Sequence, residues 1–462
     1  MDGVANGDSD YFIVSPTDRS MAVLDRTSPV TFHVIWELLG PVDLGALGRA
    51  WQDLATVHPI LGCSTDIDVD SRWRPGRELP PIRLVNEQSE RVGRPSEVRS
   101  VDQLTADEVG RPMNFNRGAV VRLSAIRTID GFRFVLAAHH AAFDGVASVL
   151  LLEDLRRLYV GRVSDAHEPP QPDLSPRTVE GLIRNRGFPL LKRQGVVARG
   201  LDRWRRLPPS THVDPSPEPP PSRLRRLSPL RGEKPGSPGP ATDYVTFEVG
   251  NVLAAYEEQR RRNDWSVDAV LIGVLEAAWT ETFGTGEGSS VWLVAADLRP
   301  GLGVHRGLGN LSGAEPIAIR KPHVRPAELL IEQAAAEMAI SKSNSPGLGP
   351  ELMARSWGWM LPQVLNRGAE WMIRNGLRNR HTRTLSNLGR LPSSLNDWGH
   401  AQMATIRFVG PMSKGPYTSF IAFAHRSSSW LTVRVSDSWL TKAHAVQLEQ
   451  AMHRDLMIQP LN

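Results

Sequence analysis

One cysteine, Cys63, stands among 462 residues, so neither an internal disulfide nor a cysteine-based metal cluster can form. That scarcity suits a reducing compartment, and a cytoplasmic protein is expected. Long apolar runs are also missing. The longest candidate, Val146 to Leu152, falls far short of the roughly 18 residues that cross a bilayer, so at most peripheral membrane contact is expected. The opening MDGVANGDSDYF has neither the basic start nor the apolar centre of a signal peptide, which argues against export. No G-x-S-x-G elbow and no H-E-x-x-H pair occurs, which removes the usual serine hydrolase and zinc protease readings, and no metal is expected.

What remains is an ordinary globular composition, 40% hydrophobic and 23% charged, long enough for two or three domains. Net charge is only +4, but its distribution is uneven: Arg177 to Lys234 holds 14 Lys and Arg against 5 Asp and Glu. Proline is concentrated nearby, with 16 of the 36 prolines between His167 and Pro240, which excludes a continuous helix or central strand there. The chain therefore divides into an N-terminal lobe (1–165), a Pro/Arg-rich crossover (166–240) and a C-terminal lobe (241–462). One or two basic helices are expected within Val179 to Leu207, and an extended segment from Pro208 to Pro240.

Strands are expected at Val30–Trp36, Phe132–Ala138, Tyr244–Val249, Val291–Ala296, Phe420–Ala424 and Leu431–Val435. Helices are expected from Leu44 with Asp43 as N-cap, over Val146–Tyr159, over Val267–Thr280 with Ser266 as N-cap, in a basic region from Leu352 to Arg380, and over Lys442–Leu456. Both element types alternate along the chain, so the class is α/β or mixed α+β.

The chemistry concentrates in His139-His140-Ala-Ala-Phe-Asp144-Gly145, at the point where a strand hands over to a helix. A histidine held by such a turn is stiffly placed and can take a proton near neutral pH, which suits a general base. The glycine allows close backbone approach, and the helix N-terminus directs amide hydrogens towards developing negative charge. Paired histidines that only satisfy buried hydrogen bonds would give the same local pattern.

These residues resemble the chloramphenicol-acetyltransferase-like superfamily, whose signature is HHxxxDG. It includes nonribosomal peptide synthetase condensation domains, polyketide-associated acyltransferases and wax ester synthase/diacylglycerol acyltransferases. Further segments fit in order: Ser15-Pro-Thr-Asp18 with Thr27-Ser-Pro-Val-Thr-Phe-His33, then His58-Pro59-Ile-Leu61, Asp297-Leu-Arg299-Pro300 with Gly309-Asn310, and Ser386-Asn387-Leu-Gly389. The resemblance implies an α+β sandwich of two similar lobes, a pseudo-dimer with a tunnel between them. It implies that His140 deprotonates an amine or alcohol acceptor, which attacks a thioester directly. His139, Asp144, Gly145, Asp297 and Arg299 become supporting residues, with Asp144 paired to Arg299. Gly145 can also offer its amide to the oxyanion. Asn310, Ser386 and Asn387 are candidates for the tunnel wall, although each would serve equally well as a turn or strand-end hydrogen bond.

The plant-type DFGWG motif is absent, and no carrier or adenylation domain is attached, so a standalone enzyme is expected. No tightly bound cofactor is implied. The acyl donor would be a thioester of coenzyme A or of phosphopantetheine on a carrier protein, and the basic stretch from Arg177 to Arg231 suits an acidic carrier. That stretch, with Trp357, Trp359, Trp371 and Arg374, would alternatively suit a wax-synthase-like enzyme on anionic lipid. A non-catalytic docking platform is the rival from another class. Nucleic acid is not expected, because only Phe188 and Trp204 interleave with the arginines.

Overall fold

The computed structural model describes residues 12–85, 99–181, 190–208, 244–348, 382–434 and 442–457, together with Leu352 and Arg367. Short interruptions fall at 27–28, 68, 71, 77, 116–117, 165, 167–169, 174–176, 180, 284–287, 304–305, 321–325, 343–346 and 412–416. Trp357, Trp359, Trp371, Arg374 and nearly all of the Pro-rich part of the crossover lie outside the described residues.

The first helix, α1 (Pro16–Asp25), starts with a capping box in which Ser15 Oγ accepts from the Asp18 amide and Asp18 Oδ2 accepts from the Ser15 amide. Strand β1 (Thr31–Leu39) follows. Helix α2 (Leu44–Val57) has Asp43 as its N-cap, accepting from the Ala46 amide at 2.9 Å, and it stops at His58-Pro59. Then come β2 (Arg83–Val85), α3 (Val101–Gly110), β3 (Val121–Arg127), β4 (Gly131–His139) and α4 (Gly145–Val163). In the crossover, α5 (Leu190–Arg205) is tied down by Arg203, which donates to the carbonyls of Pro316 and Glu337.

The second half contributes β5 (Tyr244–Glu248), α6 (Val267–Phe283), β6 (Ser289–Asp297), β7 (Ser312–Arg320) and α7 (Ala327–Lys342). After these come β8 (Thr382–Arg390), β9 (Asp397–Trp398), β10 (Ala401–Val409), β11 (Tyr417–His425), β12 (Ser428–Arg434) and α8 (Lys442–Met457).

These strands form two six-stranded sheets, β2-β3-β4-β1-β10-β9 and β5-β12-β11-β8-β6-β7. Alternation along β1 sends Phe32, Val34, Trp36 and Leu38 into a core shared with Leu47, Trp51 and Leu54 of α2 and Leu151, Leu152 and Leu155 of α4. The second sheet packs its own core against α6, α7 and α8 through Leu271, Leu275, Ile331 and Leu448. The result is a mixed α/β protein of two lobes.

The lobes are not independent in their sheets. Strand β10 lies antiparallel to β1, with His33 opposite Val409 and Trp36 opposite Ile406. Residues 397–409, on the C-terminal side of the crossover, therefore complete the first sheet. The physical reason is that β1 is buried nearly along its whole length, so both of its edges need hydrogen-bonding neighbours.

Candidate active site

Strand β4 ends at His139 and α4 begins at Gly145, so the HHxxxDG residues form the strand-to-helix turn. Asp144 is the N-cap of α4, accepting from the Ala147 amide at 2.8 Å. The turn is also stitched to neighbouring backbone, with the His140 amide donating to Val30 O at 3.2 Å and the Ala142 amide to His139 O at 3.0 Å.

The two histidines sit in different surroundings. His139 is fully buried, its ring against Phe115 with centroids 4.1 Å apart. The Ala141 amide donates to His139 Nδ1 at 3.2 Å, which leaves the ring proton on Nε2, 3.4 Å from an Asp25 carboxylate oxygen. His140 is half-buried, with Phe32 edge-on at 5.7 Å. Burial pushes its pKa below the ordinary histidine value, while the carbonyls of His140 and Phe143 and the charge of Asp144 pull part of the way back. His140 is therefore neutral at pH 7 and can accept a proton.

Asp144 faces the second lobe. Both of its oxygens accept from Arg299, Oδ2 from Nη1 and Oδ1 from Nη2, each at 3.0 Å, and Oδ2 also accepts from the Leu311 amide at 2.7 Å. Arg299 additionally reaches Asp297 Oδ1 at 3.0 Å and the carbonyls of Gly307 and Gly309. Asp144 and Arg299 are buried while Asp297 lies at the surface, so the guanidinium is satisfied by protein groups.

Of the three tunnel candidates, Asn310 and Ser386 come to the turn. Asn310 is buried, and its Nδ2 donates to the carbonyl of His140 at 2.8 Å. Ser386 lies beside Gly145: a Cβ on that glycine would sit 3.7 Å from Ser386 Oγ and 2.7 Å from Leu388 Cδ2. Asn387, on the opposite face of β8, instead donates to Asp268 Oδ1 at 2.6 Å. Burial raises the pKa of Asp268, with the Asn387 hydrogen bond opposing.

Three features went unread in the sequence. Arg177 donates to Asp18 Oδ2 at 2.6 Å, with both side chains buried and Trp73 Nε1 donating to the same oxygen at 3.0 Å. His58 meets Asp154 of α4 at 2.9 Å. His33 is buried on β1 with neither ring nitrogen hydrogen-bonded, and burial, then Arg434 and Arg122, hold its pKa well below the ordinary value. The signal for the first two lay in the Ser15-to-Asp18 and His58-Pro59 segments, but their partners are 159 and 96 residues distant. Among the described residues, no group of three or more His, Cys, Asp or Glu could hold a metal ion, and no helix is long and apolar enough to cross a membrane.

No protein-family model matches the chain. It is 25% identical over 291 residues to an uncharacterized protein of Mycobacterium tuberculosis, a match covering 61% of this chain. The chain thus spans 62% of the length of that relative. A nonribosomal peptide synthetase of Cordyceps militaris is 27% identical over 154 residues, 33% of this chain and 3% of that one. Among solved structures, the epimerization domain from the third module of tyrocidine synthetase B superposes with a TM-score of 0.65 at 14% identity, covering 96% of both chains. Polyketide synthase associated protein 5 from Mycobacterium tuberculosis gives 0.62 at 14% identity over 97% of both. The starter condensation domain of rhizomide synthetase, in complex with C8-CoA and Leu-SNAC, gives 0.64 at 13% identity over 97% of this chain and 94% of that one.

The chain thus has the two-lobed fold of these synthetase condensation and epimerization domains and of polyketide synthase associated protein 5.

Proposed function

We propose that the protein is an acyltransferase that moves an acyl group from a thioester to an amine or hydroxyl acceptor, forming an amide or ester. The observation that carries this reading is His140: a neutral, half-buried imidazole in the strand-to-helix turn, its backbone held from both lobes. As base, it would take the acceptor's proton as the acceptor attacks the thioester carbonyl. The tetrahedral intermediate would then collapse with release of the thiol, which recovers the proton. The backbone amides at the start of α4 suit the oxyanion.

The donor would be carried by coenzyme A or by phosphopantetheine on a carrier protein. Support comes from the rhizomide synthetase domain, described as bound to C8-CoA, and from the synthetase relatives. An acidic carrier docking on the basic crossover is the partner this reading implies, in natural-product or lipid biosynthesis.

The test mixes wild-type and His140→Ala protein with acyl-CoA and acyl-carrier thioesters plus pooled amines and alcohols, following free thiol and product mass. Acceptor-dependent thiol release that disappears in His140→Ala supports the proposal. Exchange of a substrate α-proton without thiol release would instead indicate epimerization, the activity named for the tyrocidine synthetase neighbour. Tight carrier binding by both proteins without turnover would favour a docking platform.

A further inference from the structure

The crossover residue Arg177 is one of the most thoroughly buried charges in the protein, and nothing in an acyl-transfer mechanism calls for it. Its surroundings form a continuous path to His140. The guanidinium donates to Asp18 Oδ2 at 2.6 Å and lies over the Trp73 ring, 5.4 Å from the centroid. Asp18 is itself fixed by the capping box of α1 and by Trp73 Nε1. This anchors the backbone of Arg177, which passes directly against Gly309: a Cβ there would stand 2.1 Å from Arg177 O and 2.9 Å from Arg177 C. Only glycine fits that approach.

From Gly309 the path enters the turn by three hydrogen bonds. Gly309 O accepts from the Asp144 amide at 3.4 Å, Asn310 Nδ2 donates to His140 O at 2.8 Å, and the Leu311 amide donates to Asp144 Oδ2 at 2.7 Å. The segment Gly309-Asn310-Leu311 is thus pressed between the crossover on one side and the His140–Asp144 turn on the other. A buried ion pair with well-ordered partners is a weak source of net stability but a strong way of fixing geometry. Two Arg177 donors, Nε and Nη1, and Asp18 Oδ1 are buried without a hydrogen-bond partner, so stability alone is a poor account of why the pair is there.

We propose that Arg177 is a positioning residue for His140, acting through Gly309 and Asn310, so that the crossover sets the orientation of the imidazole. The inference rests on His140 being the base in the reading above. It deepens that reading by making the crossover part of the catalytic apparatus. An event that shifts the crossover, such as a carrier settling on its basic surface, would reach the base by this route.

The test follows the His140 imidazole by NMR in full-length protein with 13C-labelled histidine, its signal assigned by loss in His140→Gln. The midpoint of its titration is compared in wild type, Arg177→Met, Asn310→Ala and the double variant. Each single change should raise proton affinity roughly 3-fold or more, towards that of an ordinary histidine, as the turn loosens, and the double variant should move no further than the larger single one. Arg177→Lys should restore much of the wild-type midpoint, which simple loss of packing would not predict. An unmoved midpoint in folded Arg177→Met, or fully additive shifts, overturns the proposal. Should Arg177→Met not fold, Asp18→Asn probes the same contact from its other side. The titration reads the ring directly, so it decides the proposal even where His140→Ala retains turnover and the base assignment fails.

Discussion

Arg299 grips Asp144 with two parallel hydrogen bonds of 3.0 Å across 155 residues of sequence, joining the short helical turn Arg299–Leu302 after β6 to the N-cap of α4. The aspartate of the motif is therefore an inter-lobe fastener and holds the turn from behind. Loss of one partner leaves the other charge buried and unpaired. Arg299→Ala should lower unfolding free energy by about 3–5 kcal/mol, measured by urea denaturation. A wild-type unfolding midpoint would show that the pair is not stabilising the turn.

His140→Ala should unfold normally and lose roughly 100-fold or more in turnover, the scale expected of a general base. Because burial lowers the His140 pKa, the unprotonated base persists below pH 6.5 and the acid limb of the rate profile should lie below that of an ordinary histidine. An acid limb at or above 6.5 would contradict the assignment.

The lowered pKa values of His33 and His140 also set a sign for stability. Both groups bind protons more readily in the unfolded chain, whose reference value is 6.5. Their neutral, buried state is at no disadvantage above that value, and stability falls progressively as pH drops from 6.5 towards the folded pKa. Thermal melts should therefore show a loss beginning just below pH 6.5, and His33→Leu should reduce that slope. An identical slope in His33→Leu would show that His33 does not report the folded state.

Ser386 and Asn387 are neighbours with opposite assignments. Ser386→Leu, beside Gly145, should impair turnover with little change in melting temperature. Asn387→Ala should cost about 1 kcal/mol by removing the hydrogen bond to Asp268, and leave turnover near wild type. The reverse pattern, read from melts and rates of the two variants, would mean the faces of β8 are exchanged.

Residues 1–240 expressed alone should fail to give soluble, cooperatively folding protein, because β1 would lose its β10 neighbour and expose a long edge. A monomeric fragment with a sharp unfolding transition would refute this.

The strand-turn-helix at His139 to Gly145, the Asp43 and Ser266 caps and six of the twelve described strands were legible from the sequence. They depend on alternation, helical spacing and capping over a few residues, where local chemistry dominates. Which candidates would meet was decided only by tertiary packing. The sequence placed Asn310, Ser386 and Asn387 on an equal footing. The parity of β8 turned one away, and the fold drew Asn310 to the His140 carbonyl. Likewise Asp18 and Arg177, 159 residues apart, carry no mutual signal in composition or spacing. The entry of β10 into the first sheet had no local mark either, since Ala401 to Val409 pairs with whichever edge the buried β1 presents. Local sequence determined the pieces and the chemistry of the turn. The packing of the segment between β6 and β7 against the turn chose the long-range partners that hold it in place.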